Sequence, residues 1–169
     1  MRKTGLAMAM SMAVFAGGSL HAIGMEQWGE AGDWKILIDP DKGNGCLAWK
    51  QFESGLIVEI GAAPDQAGGF FAAYNPDWKQ IEDGGTGIVK FDFEDARFEG
   101  DAVGVVKNGV PGGYAFFDNP EFVTEFGKRN SVVVSGESGA EFEVDLAGTT
   151  KAIAAVQSCQ AEQPEAATE

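Results

Sequence analysis

Residues 87–93 read Gly-Ile-Val-Lys-Phe-Asp-Phe, and this stretch decides how the chain folds. Ile88, Lys90 and Asp92 alternate with Val89, Phe91 and Phe93. In an extended segment successive side chains point to opposite faces, so one face is apolar and the other mostly charged. A helix would scatter the same residues around its circumference. The segment reads as a half-solvated antiparallel strand.

Similar segments lie on both sides. Strands are predicted over 33–38 (DWKILI), 46–52 (CLAWKQF), 56–62 (LIVEIGA) and 70–74 (FFAAY). Beyond the opening stretch they are predicted over 97–100, 102–107, 112–117, 131–134 and 141–146. Turn-forming residues separate them: PDQAGG at 64–69, NPD at 75–77, EDGG at 82–85 and the glycines at 136–139. The NGVPGGY stretch at 108–114 reads as a loop, with neither the helix nor the Lys-Ser/Thr pair of a phosphate cradle.

Two segments change period. In 119–126, Asn119 caps, Pro120 takes the first helical position, and Phe122 and Phe126 share a face. In 149–160, Thr149 is the expected cap, and Ile153, Val156 and Cys159 form one stripe. The result is a mainly β fold, an antiparallel β-sandwich or barrel of about 8–10 short strands with a C-terminal helix. It forms one domain over 33–160, with a flexible lead-in at 23–32 and a disordered tail at 161–169 that holds Pro164.

Residues 1–22 have the layout of a signal peptide: Arg2 and Lys3, an apolar run from Leu6 to Ala16, then small residues up to Ala22. The run is too short to span a bilayer, and no later segment is apolar enough to cross one. The expected location is periplasmic or secreted. Cleavage would remove Arg2, Lys3 and the sole histidine, His21, leaving 10 basic against 26 acidic residues. A chain without imidazole cannot build a Ser-His-Asp or Cys-His unit, nor a zinc site that relies on histidine. The resulting net charge of −16 opposes nucleic acid and anionic lipid surfaces and suits a basic partner. Cys46 and Cys159 are the only cysteines, and in an oxidising compartment they are expected to pair.

Three further stretches bear on chemistry. Asp39-Pro40-Asp41-Lys42-Gly43-Asn44-Gly45 resembles a calcium loop, but the position of the bidentate acid falls on Lys50. Asn44 and the glycines suit a hairpin turn that delivers Cys46 to its partner. Asp92, Glu94, Asp95, Glu141, Glu143 and Asp145 are the candidate acid–base carboxylates, and the last three alternate with Phe142, Val144 and Leu146 as on the wet face of a strand. Tyr74 and Trp78 flank the Asn75-Pro76-Asp77 turn. They either plug the end of a β core or form a contact surface for a sugar or a protein.

The Trp-led first strand, the early Cys46, the NPDW turn and the closing LAGTTKAIAAVQSC together resemble small secreted proteobacterial proteins, among them the invasion-associated locus B family. Leu146, Gly148, Ala152 and Cys159 carry most of that likeness, which covers residues 33–160. The resemblance implies export and a β-rich fold. The expectation is an exported, non-catalytic binding or structural domain, without a cofactor or metal, that contacts a protein or an envelope component. A carbohydrate-binding module using Trp78 and Tyr74 and a carboxylate-dependent hydrolase are the alternatives.

Overall fold

Alternation along the chain becomes a single antiparallel sheet. The computed structural model describes residues 24–64, 67–137 and 139–164. Its strands are β1 (Glu26–Ala31), β2 (Trp34–Asp39), β3 (Gly45–Gln51), β4 (Ile57–Gly61), β5 (Gly69–Tyr74), β6 (Thr86–Asp92), β7 (Arg97–Lys107), β8 (Val110–Phe117), β9 (Ser131–Gly136) and β10 (Glu141–Asp145). Helix α1 (Glu121–Lys128) follows β8, and α2 (Thr149–Glu162) follows β10. The strand order is β1-β2-β3-β4-β5-β8-β7-β6-β9-β10. Thus β5 pairs with β8, and the three-strand run β8-β7-β6 continues the sheet in reverse chain order.

The sheet is strongly coiled. Ten strands laid flat at about 4.8 Å spacing would span roughly 45 Å. Instead the Trp34 indole on β2 donates to the Ala147 carbonyl, just past β10, at 3.0 Å. The first and last thirds of the sheet therefore meet. β1 and β10 each pair on one side only, and α2 packs on β1–β4 and on α1. The sandwich-or-barrel expectation resolves into one coiled, open antiparallel sheet with a C-terminal helix packed on its first four strands.

At the end where the helices lie, the interior is packed with phenylalanine. The Phe91 ring lies 5.1 Å from Phe71, 5.6 Å from Phe117, 5.1 Å from Phe122 and 6.1 Å from Phe126. All four contacts are edge-on, an arrangement worth about 0.5–1.5 kcal/mol per pair beyond area burial. Phe122 and Phe126 share a face of α1, as their spacing predicts. The Asn119 carboxamide oxygen accepts the Glu121 N–H at 2.9 Å and opens the helix.

Cys46 and Cys159 form the disulfide, with Cα atoms 6.1 Å apart. The stretch before Cys46 is the turn its sequence suggests. Pro40–Lys42 form a short 3-10 turn, Asp39 accepts the Asp41 N–H, and Gly43 and Asn44 take φ of 64° and 60°. The Cys46 N–H then donates to the Gln160 side chain at 2.8 Å, so strand and helix are joined beside the sulfur bridge.

Several boundaries differ from the sequence reading. Residues 26–31 of the supposed lead-in form β1, where Trp28 donates to Glu162 of α2 at 2.8 Å. The pieces at 97–100 and 102–107 are one strand, because Gly100 does not break β7. A Cβ there would stand 2.8 Å from the Phe117 ring, so glycine answers a close approach. In the stretch read as a loop, only Asn108-Gly109 is a turn, with φ of 52° and 79°, and β8 starts at Val110. Thr149 does not cap α2 with its side chain. Its hydroxyl is placed to donate to the Phe126 and Leu146 carbonyls, and Gly148 turns the chain with φ 84°. α2 extends to Glu162, into the supposed tail. Residues 1–22, read from the sequence as a signal peptide, and residues 165–169 lie outside the described residues.

Candidate functional site

The two ends of the coiled interior are filled differently. Pairing register fixes which inward-facing residues lie side by side. Ala73, Gly113 and Gly104 form one rung across β5, β8 and β7. Phe71, Ala115, Ala102 and Gly87 form the next, reaching β6. Six of these seven residues are glycine or alanine, so the wall carries almost no side-chain volume. A cavity of about 730 Å³ results. Phe71 and Phe91 belong to both the cavity lining and the aromatic core beneath it. A Cβ placed on Gly113 would have no heavy atom nearer than 4.0 Å, so that position faces open space.

Trp78, Ile81, Val89, Val134 and Phe142 add larger apolar side chains to the lining. The segment between β5 and β6 is tied over the rung: the Gly84 N–H donates to the Gly104 carbonyl and the Gly104 N–H to the Gly85 carbonyl. An added Cβ on Gly104 would collide with the Glu82 carbonyl, so glycine there lets the segment lie against the strand. Pockets of roughly 300–1,000 Å³ with mostly apolar walls are the usual size and character of small-molecule sites. The charged groups in the lining are Glu82, Glu137 and Glu141.

The Asn75-Pro76-Asp77 turn sends the two flanking aromatics to opposite sides of the sheet. The Asn75 side chain accepts the Asp77 N–H at 2.9 Å, which tightens the reversal. Trp78 folds inward against Phe142, with ring centroids 4.9 Å apart, and so acts as the plug. Tyr74 faces outward yet is only 5% exposed, and its hydroxyl points to Glu59 at 3.4 Å. Tyr74 and Trp78 thus lie on opposite faces of the sheet and line different cavities.

Tyr74 belongs instead to a second cavity, of about 580 Å³, on the outer face. Met25, Leu37 and Trp49 supply apolar lining, and Glu59, Tyr74 and Lys107 the polar centre. Glu59 is 4% exposed, and the Lys107 ammonium lies 2.7 Å from its Oε1. Burial pushes the Glu59 carboxyl above its ordinary value and outweighs the pull of Lys107 in the other direction. Burial, followed by the Glu59 charge, likewise pushes the Tyr74 phenol up. A phenol held protonated is a poor proton acceptor, so the trio works as a clamp between β4, β5 and the end of β7. The sequence reading missed Glu59 and Lys107, although a lone acid inside LIVEIGA is the available signal.

Glu125 on α1 is buried and paired with Lys128 and Arg129, whereas the candidate carboxylates singled out from the sequence lie at or near the surface. Glu141, Glu143 and Asp145 are exposed along β10, as their alternation predicts. Asp92 pairs with Arg97 at 2.9 Å, and Asp95 with Arg129 at 2.6 Å. Among the described residues no three His, Cys, Asp or Glu side chains converge as a metal-holding group. Among them, too, no helix is long and apolar enough to cross a membrane. Comparison of the chain with family models, with curated proteins and with solved structures gives no match.

Proposed function

We propose that this protein is an exported, non-catalytic binding domain of the periplasm or cell exterior, whose inner cavity takes a small apolar ligand of the cell envelope. The observation that carries the reading is the pair of rungs built from glycine and alanine. A β core closes by interdigitating large side chains to crystal-like density. Here the aromatic packing stops, and small residues recur at inward positions on four adjacent strands. Trp78 and Phe142 close the cavity from the side without filling it. The Cys46–Cys159 disulfide suits an oxidising compartment, and the signal-like leader points the same way. The likeness to the invasion-associated locus B family supports export and nothing about the ligand.

The test is a fluorescence titration with Nile red, an uncharged apolar dye, on the exported protein and on Gly113→Leu. The leucine enters the open space without altering surface charge. Saturable one-to-one binding to the wild type, lost in the variant at unchanged circular dichroism, is expected. Equal binding to both proteins, or none to the wild type, overturns the reading.

A further inference from the structure

Charge is distributed one-sidedly around the inner cavity. Its walls are apolar, and the charged residues in its lining are all acids: Glu82, Glu137 and Glu141. They come from separate places in the chain: the segment between β5 and β6, the β9–β10 turn, and the first residue of β10. The Glu137 carboxylate lies over the inner wall, 3.6 Å from where a Cβ on Gly87 would stand. Among the described residues none of the three forms an ion pair. Every ion pair in the described structure lies elsewhere. The whole chain carries a net charge of −14, which adds to the same potential.

We infer that the cavity selects a hydrophobic amine: a ligand with an apolar body against the Gly/Ala wall and one ammonium group among Glu82, Glu137 and Glu141. This rests on the reading of the cavity as a ligand site. An apolar body gains in proportion to the apolar area removed from water, whatever its head group. The head group then decides between ligands. Within a Debye length of about 8 Å an ammonium is attracted by all three acids, and a carboxylate is repelled by all three. An uncharged hydroxyl head falls between. The acids remain at the mouth in water, so the site needs no buried unpaired charge.

The experiment compares three probes with the same chain, dodecyltrimethylammonium, dodecanol and dodecanoate, below their micelle-forming concentrations. Each displaces Nile red from the exported protein at low and at high salt. The ammonium is expected to bind about tenfold or more tightly than the carboxylate at low salt, with the alcohol between and the spread shrinking in high salt. In the triple variant Glu82→Gln, Glu137→Gln, Glu141→Gln the three affinities should converge on that of the alcohol. In Gly113→Leu, which keeps every surface acid, all three should be lost. A carboxylate that binds as tightly as the ammonium overturns the charge selection while the cavity reading stands. Ammonium binding that survives in Gly113→Leu shows adsorption to the acidic surface and overturns it too. Failure of all three probes on the wild type defeats the cavity reading itself.

Discussion

The two ends of the sheet's interior share strands β7 and β8 but differ in what those strands carry and in what packs on them. At the helical end, Phe91, Phe117, Phe122 and Phe126 interlock, and a disulfide ties α2 to β3. At the other end the same β7 and β8 present Ala102, Gly104, Gly113 and Ala115. One end is a solid core, and the other is a walled space. The contrast shows how a protein of this size can carry a cavity without losing its fold. Stability is concentrated where side chains are large, and the open end is held by backbone pairing and by the segment strapped along Gly104.

The largest effect expected from breaking this division is at the solid end. Phe91→Ala removes the ring at the centre of the aromatic cluster and should cost about 3–5 kcal/mol in a denaturant titration. A loss below about 1 kcal/mol would mean that the cluster is not the anchor of the fold.

Next comes the disulfide. Cys159→Ser opens a bridge spanning 113 residues and should cost about 2–5 kcal/mol. Limited proteolysis should then cut within α2. Unchanged resistance of the variant would show that the helix is held by packing alone.

A smaller but more pointed comparison sets two glycines against each other. Gly100→Ala places a methyl group against the Phe117 ring and should cost about 1–3 kcal/mol. Gly113→Ala puts the same methyl group into open space and should leave stability within about 0.5 kcal/mol. Thermal melts of the two variants check this, and equal losses would erase the distinction between the ends.

The smallest effect concerns the outer clamp. The folded-state pKa of Glu59 is raised, so the folded protein takes up this proton before the unfolded chain does. The contribution of this group to stability is fully present below the ordinary carboxylate range. It is lost as pH rises through the raised value of Glu59. Glu59→Gln keeps the side-chain shape and removes that titration. The wild-type minus variant difference in melting temperature should therefore fall as pH rises through that window. A difference that is flat with pH would show that Glu59 does not titrate in the way its burial implies.

Much of the fold is legible from residue order. Alternation at 87–93 and 141–145 identifies strands and their wet faces, because a period of two is a local property of extended chain. Asn44 and the glycines of the β2–β3 turn report positive φ directly, and the lone cysteine pair admits one bridge. The spacing of Phe122 and Phe126 announces the shared face of α1. The Gly/Ala alternation at 100, 102 and 104 and again at 113 and 115 lies in segments that read as short strands, but its consequence does not show there. Nothing in a single strand says that its small residues will stand beside those of another.

The chain by itself thus determined most of the strand pattern, the β2–β3 turn, the disulfide pair and the acidic composition. Each depends on neighbours one to four residues away or on composition. Tertiary structure alone decided that β5 would pair with β8, that Ala73, Gly113 and Gly104 would share a rung, and that Tyr74 and Trp78 would part to opposite faces. Those outcomes follow from register and from the coil of the sheet. Both are set by the cooperative burial of side chains far apart in sequence, so no local window contains them.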